Sequence, residues 1–395
     1  MHFEATEDQR AIASLYRAIA LRYASLAPSA GSTFDWSTWR AIADAGIWRL
    51  PVPRERGGAG KSWQDFTIAF EAITSTKGSI GFAMAMANQA TLIRALLKYA
   101  TPLQCDRYLP GLLGGAIGAT AISEKGTGTE IRALQTTLTM ADSGFRLDGH
   151  KYNISHAPAA ALILTAARCD SDGRSSTALV LLDPSLPGVA RTPPQSTMGV
   201  RDLPIGDLEF DHVALDHHCL LGSPRDGLKH MMDIASMNRA LFGLLCADAV
   251  QPSLAQALSY VRSRKTLEVA LDSHQYVQKR LVDIRIGAER SRWMALAALD
   301  QLLAGHPEAL ANCSIAKLSA ARDLSQSALD LLALYGSTGY RSGPLATFVA
   351  DALGMISAGG TEEMHRRNIF AQMQRRDESA APVPLHKPAA EDVAA

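Results

Sequence analysis

Four separate stretches of the chain carry residue types that could do chemistry. Ser123 and Ser155 each end a short β-prone segment, where a hydroxyl and neighbouring backbone N–H groups could bond the polar edge of a ligand. Arg264 is a fixed cation whose planar fork of donors suits a pyrophosphate. Near the end of the chain, Glu362 offers a carboxylate directly after a Gly-Gly-Thr sequence. Taken singly, such residues are more often caps, turn residues or surface ion pairs, so only their joint pattern can indicate a site.

The composition excludes several classes of protein. The 395 residues contain 39 Lys and Arg against 39 Asp and Glu, so the zero net charge indicates no surface for nucleic acid or an anionic membrane. Five cysteines are scattered without a Cys-x-x-Cys pair, which argues against disulfides and a zinc site, and no metal is expected. The N-terminus is acidic where a signal peptide would be basic, and we expect no stretch of transmembrane length. The predicted compartment is the cytoplasm.

The hydrophobic pattern changes twice along the chain. Apolar residues recur at three- and four-residue spacing up to about residue 110, which predicts a helical domain over 1–111. Short β-prone runs divided by turn residues predict a central β-domain over 112–225. Long helical stripes then predict a helix bundle over 226–376. The last stretch, 377–395, is rich in Ala, Pro and charge without periodicity, and we expect it to be disordered.

Several motifs follow one another in the order typical of one enzyme family. They are Pro-Arg-Glu-Arg-Gly-Gly at 53–58, Tyr-Leu-Pro at 108–110, Ser-Glu-Lys-Gly-Thr-Gly-Thr-Glu at 123–130, Leu-Asp-Gly-His-Lys-Tyr-Asn-Ile-Ser at 147–155, Met-Gly-Val-Arg at 198–201, Tyr-Val-Arg-Ser-Arg at 260–264 and Gly-Ser-Thr-Gly-Tyr at 336–340. Through these motifs the chain resembles the acyl-CoA dehydrogenase family from its first helices to Met373. The shared order is far more specific than any single motif.

This resemblance implies an α+β multidomain fold with an N-terminal helical domain, a central β-barrel-like domain and a C-terminal four-helix bundle. It implies that FAD is bound with its ring against the β-domain and its adenine end toward a neighbouring subunit of a homo-oligomer, either a dimer or a tetramer. The implied substrate is an acyl-CoA or an acyl group on a carrier. Carried over position by position, the cofactor-binding candidates are Ile122, Ser123, Gly128, Thr129, Asn153, Ser155, Arg264, Thr266, Gln275, Gly336, Gly339, Thr361 and Glu363. The substrate-binding candidates are Thr129, Asn238, Arg239, Gly359 and Gly360.

The sequence departs from the family pattern at the catalytic base. The family removes an α-proton with a glutamate, and the two positions that its members use hold Gly359 and Asn238 in this chain. Neither a glycine nor an amide can accept the proton. Glu362 and His156 are the candidate replacements, since one is a carboxylate beside the vacated position and the other adjoins the implied flavin site and titrates near neutral pH. We expect Glu124, within the flavin motif, to serve structure.

Three functions remain compatible with this pattern. The first is an FAD-dependent oxidoreductase of the acyl-CoA dehydrogenase type that acts on an acyl thioester outside ordinary β-oxidation, with a non-standard or absent base. The second is a flavin-dependent oxygenase on the same fold, which uses reduced FAD and O2 and needs no α-proton acceptor. Asn153, at a position where the family usually has Trp, favours a more polar flavin environment. The third is an inactive protein that binds acyl thioesters.

Overall fold

Five helices form the N-terminal part of the protein. The computed structural model describes residues 4–23, 34–126, 133–141, 144–171 and 174–379. Capping residues define where several helices begin: Ser62 and Thr101 each form a capping box with the residue three positions later, and Pro102 follows at a position that needs no N–H donor. The helices are α1 (Glu7–Tyr23), α2 (Trp36–Asp44), α3 (Trp63–Lys77), α4 (Ile80–Tyr99) and α5 (Pro102–Leu113).

A curled seven-stranded sheet follows these helices. Its strands are β1 (Gly118–Ala121), β2 (Thr137–Ala141), β3 (Gly144–Ser155), β4 (Leu162–Ser171), β5 (Arg174–Leu182), β6 (Val189–Arg191) and β7 (Ile205–Leu215). Strands β1 and β2 both pair in parallel with one edge of β4, and β5 pairs antiparallel with the other edge of β4. From β2 the sheet continues through β3, β7 and β6 in antiparallel pairs. Alternate side chains of these strands form a small core of their own, and the opposite face packs against the helices.

The C-terminal part is a helical bundle. Helices α6 (Gly227–Ala249), α8 (Gln275–Leu303) and α9 (Ala309–Tyr335) pack against one another, and α11 (Glu362–Ser379) packs on α9. Helix α7 (Gln251–Ser263) continues from α6, and α10 (Pro344–Gly354) leads into the loop before α11. Helices α3 and α4 also contact α6, so the N-terminal helices and the bundle share one core. The predicted fold class is confirmed.

One short hairpin interrupts the helical pattern that we expect after residue 226. Strands β8 (Lys265–Thr266) and β9 (Val269–Ala270) pair between α7 and α8. The two residues of the turn, Leu267 and Glu268, both have positive φ, as a type I′ turn requires. Sequence reasoning misses this hairpin because neither turn residue is the Asn, Asp or Gly that usually marks such a turn.

Two helical segments, α4 and the α6–α7 run, are longer and more apolar than the sequence expectation allowed. The segments 80–99 and 227–263 are each long and apolar enough to cross a membrane by composition alone, which corrects the statement that no stretch reaches that length. Most of each apolar stretch is buried inside the fold, 89% and 67% respectively, and the core helices of a large domain pass the same test. Packing against the rest of the chain therefore accounts for their composition.

The predicted domain limits stay predictions. The limit between residues 111 and 112 falls inside α5, and α11 continues to Ser379, three residues beyond the predicted end of the bundle at 376. The remainder of the predicted tail, 380–395, lies outside the described residues.

Candidate functional site

A cavity of about 710 Å³ lies between the sheet, helices α4 and α6, and the loop before α11. This volume is typical of sites for small molecules and cofactors. We call its two sides the sheet wall and the helix wall. The sheet wall comprises Thr120, Ile122, Ser123, Glu124, Asn153, Ile154 and Ser155; the helix wall comprises Asn88, Met231, Ile234, Asn238, Arg239, Phe242, Gly359, Gly360 and Met364.

A buried ion pair supports the sheet wall. The Lys151 ammonium, with no exposed surface, donates to Glu124 Oε1 at 2.8 Å and to the Ile122 carbonyl at 3.2 Å. The Glu124 carboxylate also accepts from the Gln135 N–H at 2.7 Å, and from the N–H and hydroxyl of Thr136 at 3.0 and 2.7 Å. Burial opposes ionisation of Glu124, but these hydrogen bonds outweigh it and lower its pKa. Burial lowers the pKa of Lys151 to about 8. Both groups are therefore charged at neutral pH, and Glu124 serves structure.

The sheet wall offers free polar groups to a planar ligand. The Ser123 carbonyl accepts from the Tyr152 N–H at 2.8 Å, which ties the end of β1 to β3. Within the described part of the chain, the hydroxyls of Ser123 and Ser155 have no hydrogen-bond partner. Asn153 is left-handed (φ 55°) at an irregularity in the β3–β7 pairing, where its N–H donates to Asp207. These unpartnered groups, together with the cavity volume, fit the ring edge of FAD.

The two vacated base positions meet on the helix wall. A Cβ atom added to Gly359 would lie 3.8 Å from Asn238 Oδ1, although the two residues are far apart in sequence. Asn238 Nδ2 donates to Asn88 Oδ1 at 2.7 Å, so an amide pair occupies this place. The same Cβ would lie 3.0 Å from the Phe242 ring, and Gly359 is left-handed at φ 72°. Position 359 is therefore closed to an unstrained side chain.

Among the described residues that line the cavity, Glu124 is the only carboxylate. Its oxygens are held by the hydrogen bonds given above. No free carboxylate among these residues can take a proton from a ligand in the cavity.

A buried guanidinium that has no carboxylate partner among the described residues lies on the helix wall. Arg239 is 8% exposed, and its Nε has no hydrogen-bond partner within the described residues. Its other nitrogens make two long contacts of 3.4 Å, to Ser314 Oγ and Met364 Sδ. Burial lowers the pKa of Arg239 to about 10.

Two further buried nitrogen groups lie close to Arg239. The Lys317 ammonium donates to the Gly360 carbonyl at 2.8 Å and to the Ile356 carbonyl at 3.3 Å, which fixes the loop carrying Gly359. Burial lowers the pKa of Lys317 to about 8. His365 is fully buried beside Gly360, and burial and then the charge of Arg239 lower its pKa to about 3. His365 is therefore neutral at pH 7, whereas Arg239 remains charged.

His156 does not line the cavity. It has no exposed surface, its Nδ1 lies 3.4 Å from the Gly118 carbonyl, and its ring packs edge-on to Phe34 and Trp39. The chain leaves the extended conformation at His156, which is left-handed with φ 67°, and this residue is absent from the cavity lining that includes Ser155. Burial lowers its pKa to about 4, which leaves it neutral. This placement gives the predicted catalytic role of His156 no support.

Glu362 is also turned away from the cavity. Its carboxylate accepts two hydrogen bonds from Arg322 on α9, at 2.7 and 2.9 Å, and pairs with Arg366 one turn along α11. The bond from Arg322, above all, lowers the pKa of Glu362 to about 2. A carboxylate this acidic and this engaged is a weak base, so the predicted catalytic role of Glu362 gains no support either.

The other predicted cofactor residues that the structure describes lie outside the cavity, and all of them except the buried Gly339 are exposed. Arg264 ends α7, Thr266 lies in the β8–β9 hairpin and Gln275 begins α8, all exposed. Gly336 and Gly339 follow α9 on the same side of the bundle, because Tyr260 of α7 stacks on Tyr335 of α9 with ring centroids 4.4 Å apart. Thr361 and Glu363 lie exposed at the start of α11. Gly128 and Thr129 lie outside the described residues.

Sequence reasoning missed four residues of the helix wall and its support: Asn88, Phe242, Lys317 and His365. Phe242 follows Asn238 by four residues, so helical periodicity alone could have predicted that it shares its face. Asn88 and Lys317 lie in apolar helical runs, and nothing in those runs indicates which distant groups they meet.

Family comparisons agree with this architecture. Models of the acyl-CoA dehydrogenase N-terminal, middle and C-terminal domains match residues 6–116, 119–213 and 225–374 in that order. Together they account for nearly all of the described chain.

Individual relatives have low sequence identity to this chain but align with it over most of its length. The chain is 27% identical to a 3-sulfinopropanoyl-CoA desulfinase of Cupriavidus necator, over 88% of this chain and 91% of the relative. It is 25% identical to an L-prolyl-[peptidyl-carrier protein] dehydrogenase of Pseudomonas fluorescens, over 86% and 91%. The solved structure of butyryl-CoA dehydrogenase from Megasphaera elsdenii superposes with a TM-score of 0.86 at 23% identity, covering 95% of this chain and all of that one.

Proposed function

Because this chain belongs to the acyl-CoA dehydrogenase family, we propose that it is an FAD-dependent oxidoreductase acting on an acyl thioester outside ordinary β-oxidation. The proposal includes a departure from family chemistry: no side chain of the chain acts as the usual glutamate base. The observation that carries it is the meeting of Gly359 and Asn238 on the helix wall, where Asn88 holds the amide of Asn238.

The sheet wall supports FAD as the cofactor. Ile122, Ser123, Asn153 and Ser155 would hold the ring, with the two serine hydroxyls free to bond its polar edge. When bound, the flavin would accept a hydride from the acyl β-carbon, and the α-proton would pass to water in the cavity, because no free carboxylate lines the cavity among the described residues. The Glu124–Lys151 pair keeps these strand ends in place and takes no part in proton transfer.

The helix wall would hold the acyl thioester. Asn238, Arg239, Gly359 and Gly360 line the side of the cavity opposite the serines, and Thr129 remains a substrate-binding candidate from the sequence. The amide pair of Asn88 and Asn238 can orient a carbonyl or hydroxyl but cannot accept a proton at neutral pH. Relatives named as a CoA-thioester desulfinase and a carrier-protein dehydrogenase support chemistry beyond β-oxidation and leave both carriers possible.

We also propose a homo-oligomer, dimer or tetramer, in the cytoplasm. Arg264, Thr266, Gln275, Gly336 and Gly339 would bind the adenine end of FAD together with a neighbouring subunit. Leu267, Tyr276 and Tyr340 are 91%, 85% and 86% exposed around these residues, and exposed apolar patches of this kind favour association. Thr361 and Glu363 would contact the cofactor from the start of α11.

The test is anaerobic mixing of the yellow holoprotein with CoA and carrier-bound thioesters of varied acyl groups. We expect at least one of these thioesters to bleach the visible absorbance of the oxidised flavin, because it reduces the ring. If none does, dehydrogenation is contradicted. A purified protein that is colourless and has no affinity for FAD would instead support an inactive thioester-binding protein.

A second function is favoured by one feature of the sheet wall. Asn153 and Ser155 line the cavity with polar groups, and the Asn153 side chain has no partner within the described residues. A polar wall beside the ring suits a flavin-dependent oxygenase, which needs no α-proton acceptor. Product formation that depends on O2 and carries label from ¹⁸O2 would support this function over dehydrogenation.

A further inference from the structure

One side chain of the cavity carries a buried hydroxyl that no described residue satisfies. Thr91 is 3% exposed, and within the described part of the chain its Oγ1 has no hydrogen-bond partner. Thr91 lines the cavity from α4, on the same helical face as Met84 and Asn88. A buried hydroxyl without a partner costs free energy, so a polar group placed inside the cavity would stabilise it.

The packing of α4 against α6 shows what lies opposite Thr91. Asn238 donates to Asn88 at 2.7 Å, and one and a half turns further along α4, Arg94 donates to Asp233 at 2.7 Å, so the two helices run antiparallel. Thr91 lies midway between these two pairs. The residues of α6 at that level that also line the cavity are Ile234 and Ala235. Both side chains are apolar, so α6 offers the hydroxyl no hydrogen bond.

The amide pair beside Thr91 has unused hydrogen-bonding atoms as well. Among the described residues, Asn88 Nδ2 has no acceptor, and Asn238 Oδ1, which faces Gly359, has no donor. The hydroxyl of Thr91 can both donate and accept. Three residues of an α-helix rise by about 4.5 Å, so Thr91 and the amide pair can reach one substituent of a bound ligand.

These uncharged groups favour a neutral polar substituent. Glu124 is the only carboxylate among the described residues of the lining and is held in the network of the sheet wall, so a protonated amine would meet no free counter-ion. A hydrocarbon would exclude water from Thr91 and leave its hydroxyl unpaired. A hydroxyl can accept from one of these groups and donate to another.

We infer that the acyl group of the substrate carries a hydroxyl on its β-carbon, which Thr91 and the amide pair bind. This inference rests on the proposed function and deepens it, because it assigns the thioester to the 3-hydroxyacyl class. The α-carbon would lie at the vacated base positions, beside Asn238, and Thr91 is within one helical turn of that place. The β-carbon keeps one hydrogen, which the proposed dehydrogenation requires. Met231 and Phe242 would contact the rest of the chain.

The test compares two thioesters of the same size and branching, 3-hydroxybutyryl and isovaleryl, in which a hydroxyl replaces a methyl group. Both enantiomers of 3-hydroxybutyryl are used, as CoA and as pantetheine derivatives. The holoprotein is first photoreduced under anaerobic conditions so that it cannot oxidise the ligand, and binding is measured by calorimetric titration. We expect one enantiomer to bind at least about fivefold more tightly than isovaleryl, as expected for one or two neutral hydrogen bonds.

Three variants assign this preference to the hydroxyl. Thr91→Val puts a methyl group in its place and should abolish the preference, while isovaleryl affinity stays within about twofold or rises. Thr91→Ser keeps a hydroxyl and should retain most of the preference. Thr74→Val is the matched control: Thr74 on α3 is a second buried threonine whose hydroxyl has no partner in the described structure, but it does not line the cavity, so its loss should leave the preference unchanged.

Two results would overturn the inference. One is binding of isovaleryl by the wild type as tightly as, or more tightly than, both enantiomers of 3-hydroxybutyryl. The other is a preference for the hydroxyl that survives in Thr91→Val. In both cases thioester binding itself would persist, so the proposed function would stand. A holoprotein that binds no thioester would contradict the proposed function, and the inference with it.

Discussion

The two walls of the cavity differ in how their polar groups are satisfied. Beneath the sheet wall, Glu124 and Lys151 are almost fully buried, yet the carboxylate accepts four hydrogen bonds and the ammonium donates two. On the helix wall, Arg239 is buried to a similar degree, and within the part of the chain that the structure describes it has no carboxylate partner and its Nε has no hydrogen-bond partner.

This difference separates support from recognition. A fully satisfied buried network holds its members in one arrangement and gains nothing from a ligand. A buried charge that the fold leaves unpaired lowers the free energy of unfolding until a ligand pairs with that charge. Stability of the free protein is therefore exchanged for affinity toward the ligand. We therefore propose that the sheet wall is a preformed support for the ring, whereas the helix wall leaves a charge that a ligand can pair.

Breaking the network of the sheet wall should give the largest effect. Glu124→Gln leaves Lys151 as a buried cation without its counter-ion, and we expect the free energy of unfolding to fall by about 3–5 kcal/mol. Denaturant titration measures this. The double variant Glu124→Gln/Lys151→Met removes both charges and should recover a large part of the loss. A single-variant loss below about 1 kcal/mol would mean that the pair does not hold the wall.

The stabilisation by Glu124 should depend on pH with a definite sign. Its folded-state pKa is lowered from the ordinary 4.5, so its contribution is fully present above about pH 4.5 and is lost as pH falls through the folded-state value. The difference in unfolding free energy between wild type and Glu124→Gln should shrink as pH falls below 4.5. A difference that grows on acidification would contradict the ionised pair.

Removing the unpaired charge of the helix wall should act in the opposite direction. Arg239→Met fills similar space without the charge, and we expect the holoprotein without thioester to gain about 2 kcal/mol, because the desolvation cost disappears. Thermal and denaturant unfolding would report it. A loss as large as that of Glu124→Gln would show that Arg239 is part of a satisfied network after all.

A smaller effect should reveal how Phe242 closes position 359. Gly305 and Gly359 have nearly the same φ, 71° and 72°, but a Cβ at Gly305 meets nothing within 4 Å, whereas at Gly359 it meets the Phe242 ring at 3.0 Å. Gly305→Ala should cost about 1 kcal/mol from backbone strain alone. Gly359→Ala should cost about 1 kcal/mol more, and Phe242→Leu should remove that excess. Equal costs at both glycines would show that the ring yields freely.

The sequence predicts the fold well because its information is local. Helix periodicity, the caps at Ser62 and Thr101, and β-prone runs between turn residues are all properties of neighbouring residues. The exception is the β8–β9 hairpin. Its turn residues, Leu267 and Glu268, are poor turn formers, so the local sequence gives no signal for the positive φ that both residues adopt.

Local sequence patterns predict only part of the candidate site. The serines of the sheet wall are marked by motif, and the structure brings them together with Asn153. His156 and Glu362 show the limit of this reasoning, because nearness in sequence to a residue of the cavity does not fix the direction of a side chain. His156 points into the N-terminal core, and Glu362 points to Arg322. The Asn88–Asn238 hydrogen bond and the burial of Arg239 both arise from packing between distant segments, which a single sequence does not encode locally.

The central claim, that no side chain in this cavity removes an α-proton, is tested most directly by isotope exchange. An α-deuterated acyl thioester is incubated anaerobically with the holoprotein, and loss of deuterium to water is followed by mass spectrometry. The two reference variants are Asn238→Glu, which returns a carboxylate to a helical position facing Asn88, and Asn238→Gln, which has the same shape without a proton-accepting charge. We expect Asn238→Glu to exchange about 10²–10⁴-fold faster than the wild type, and Asn238→Gln to match the wild type at the rate without protein. Exchange by the wild type as fast as by Asn238→Glu would contradict the account.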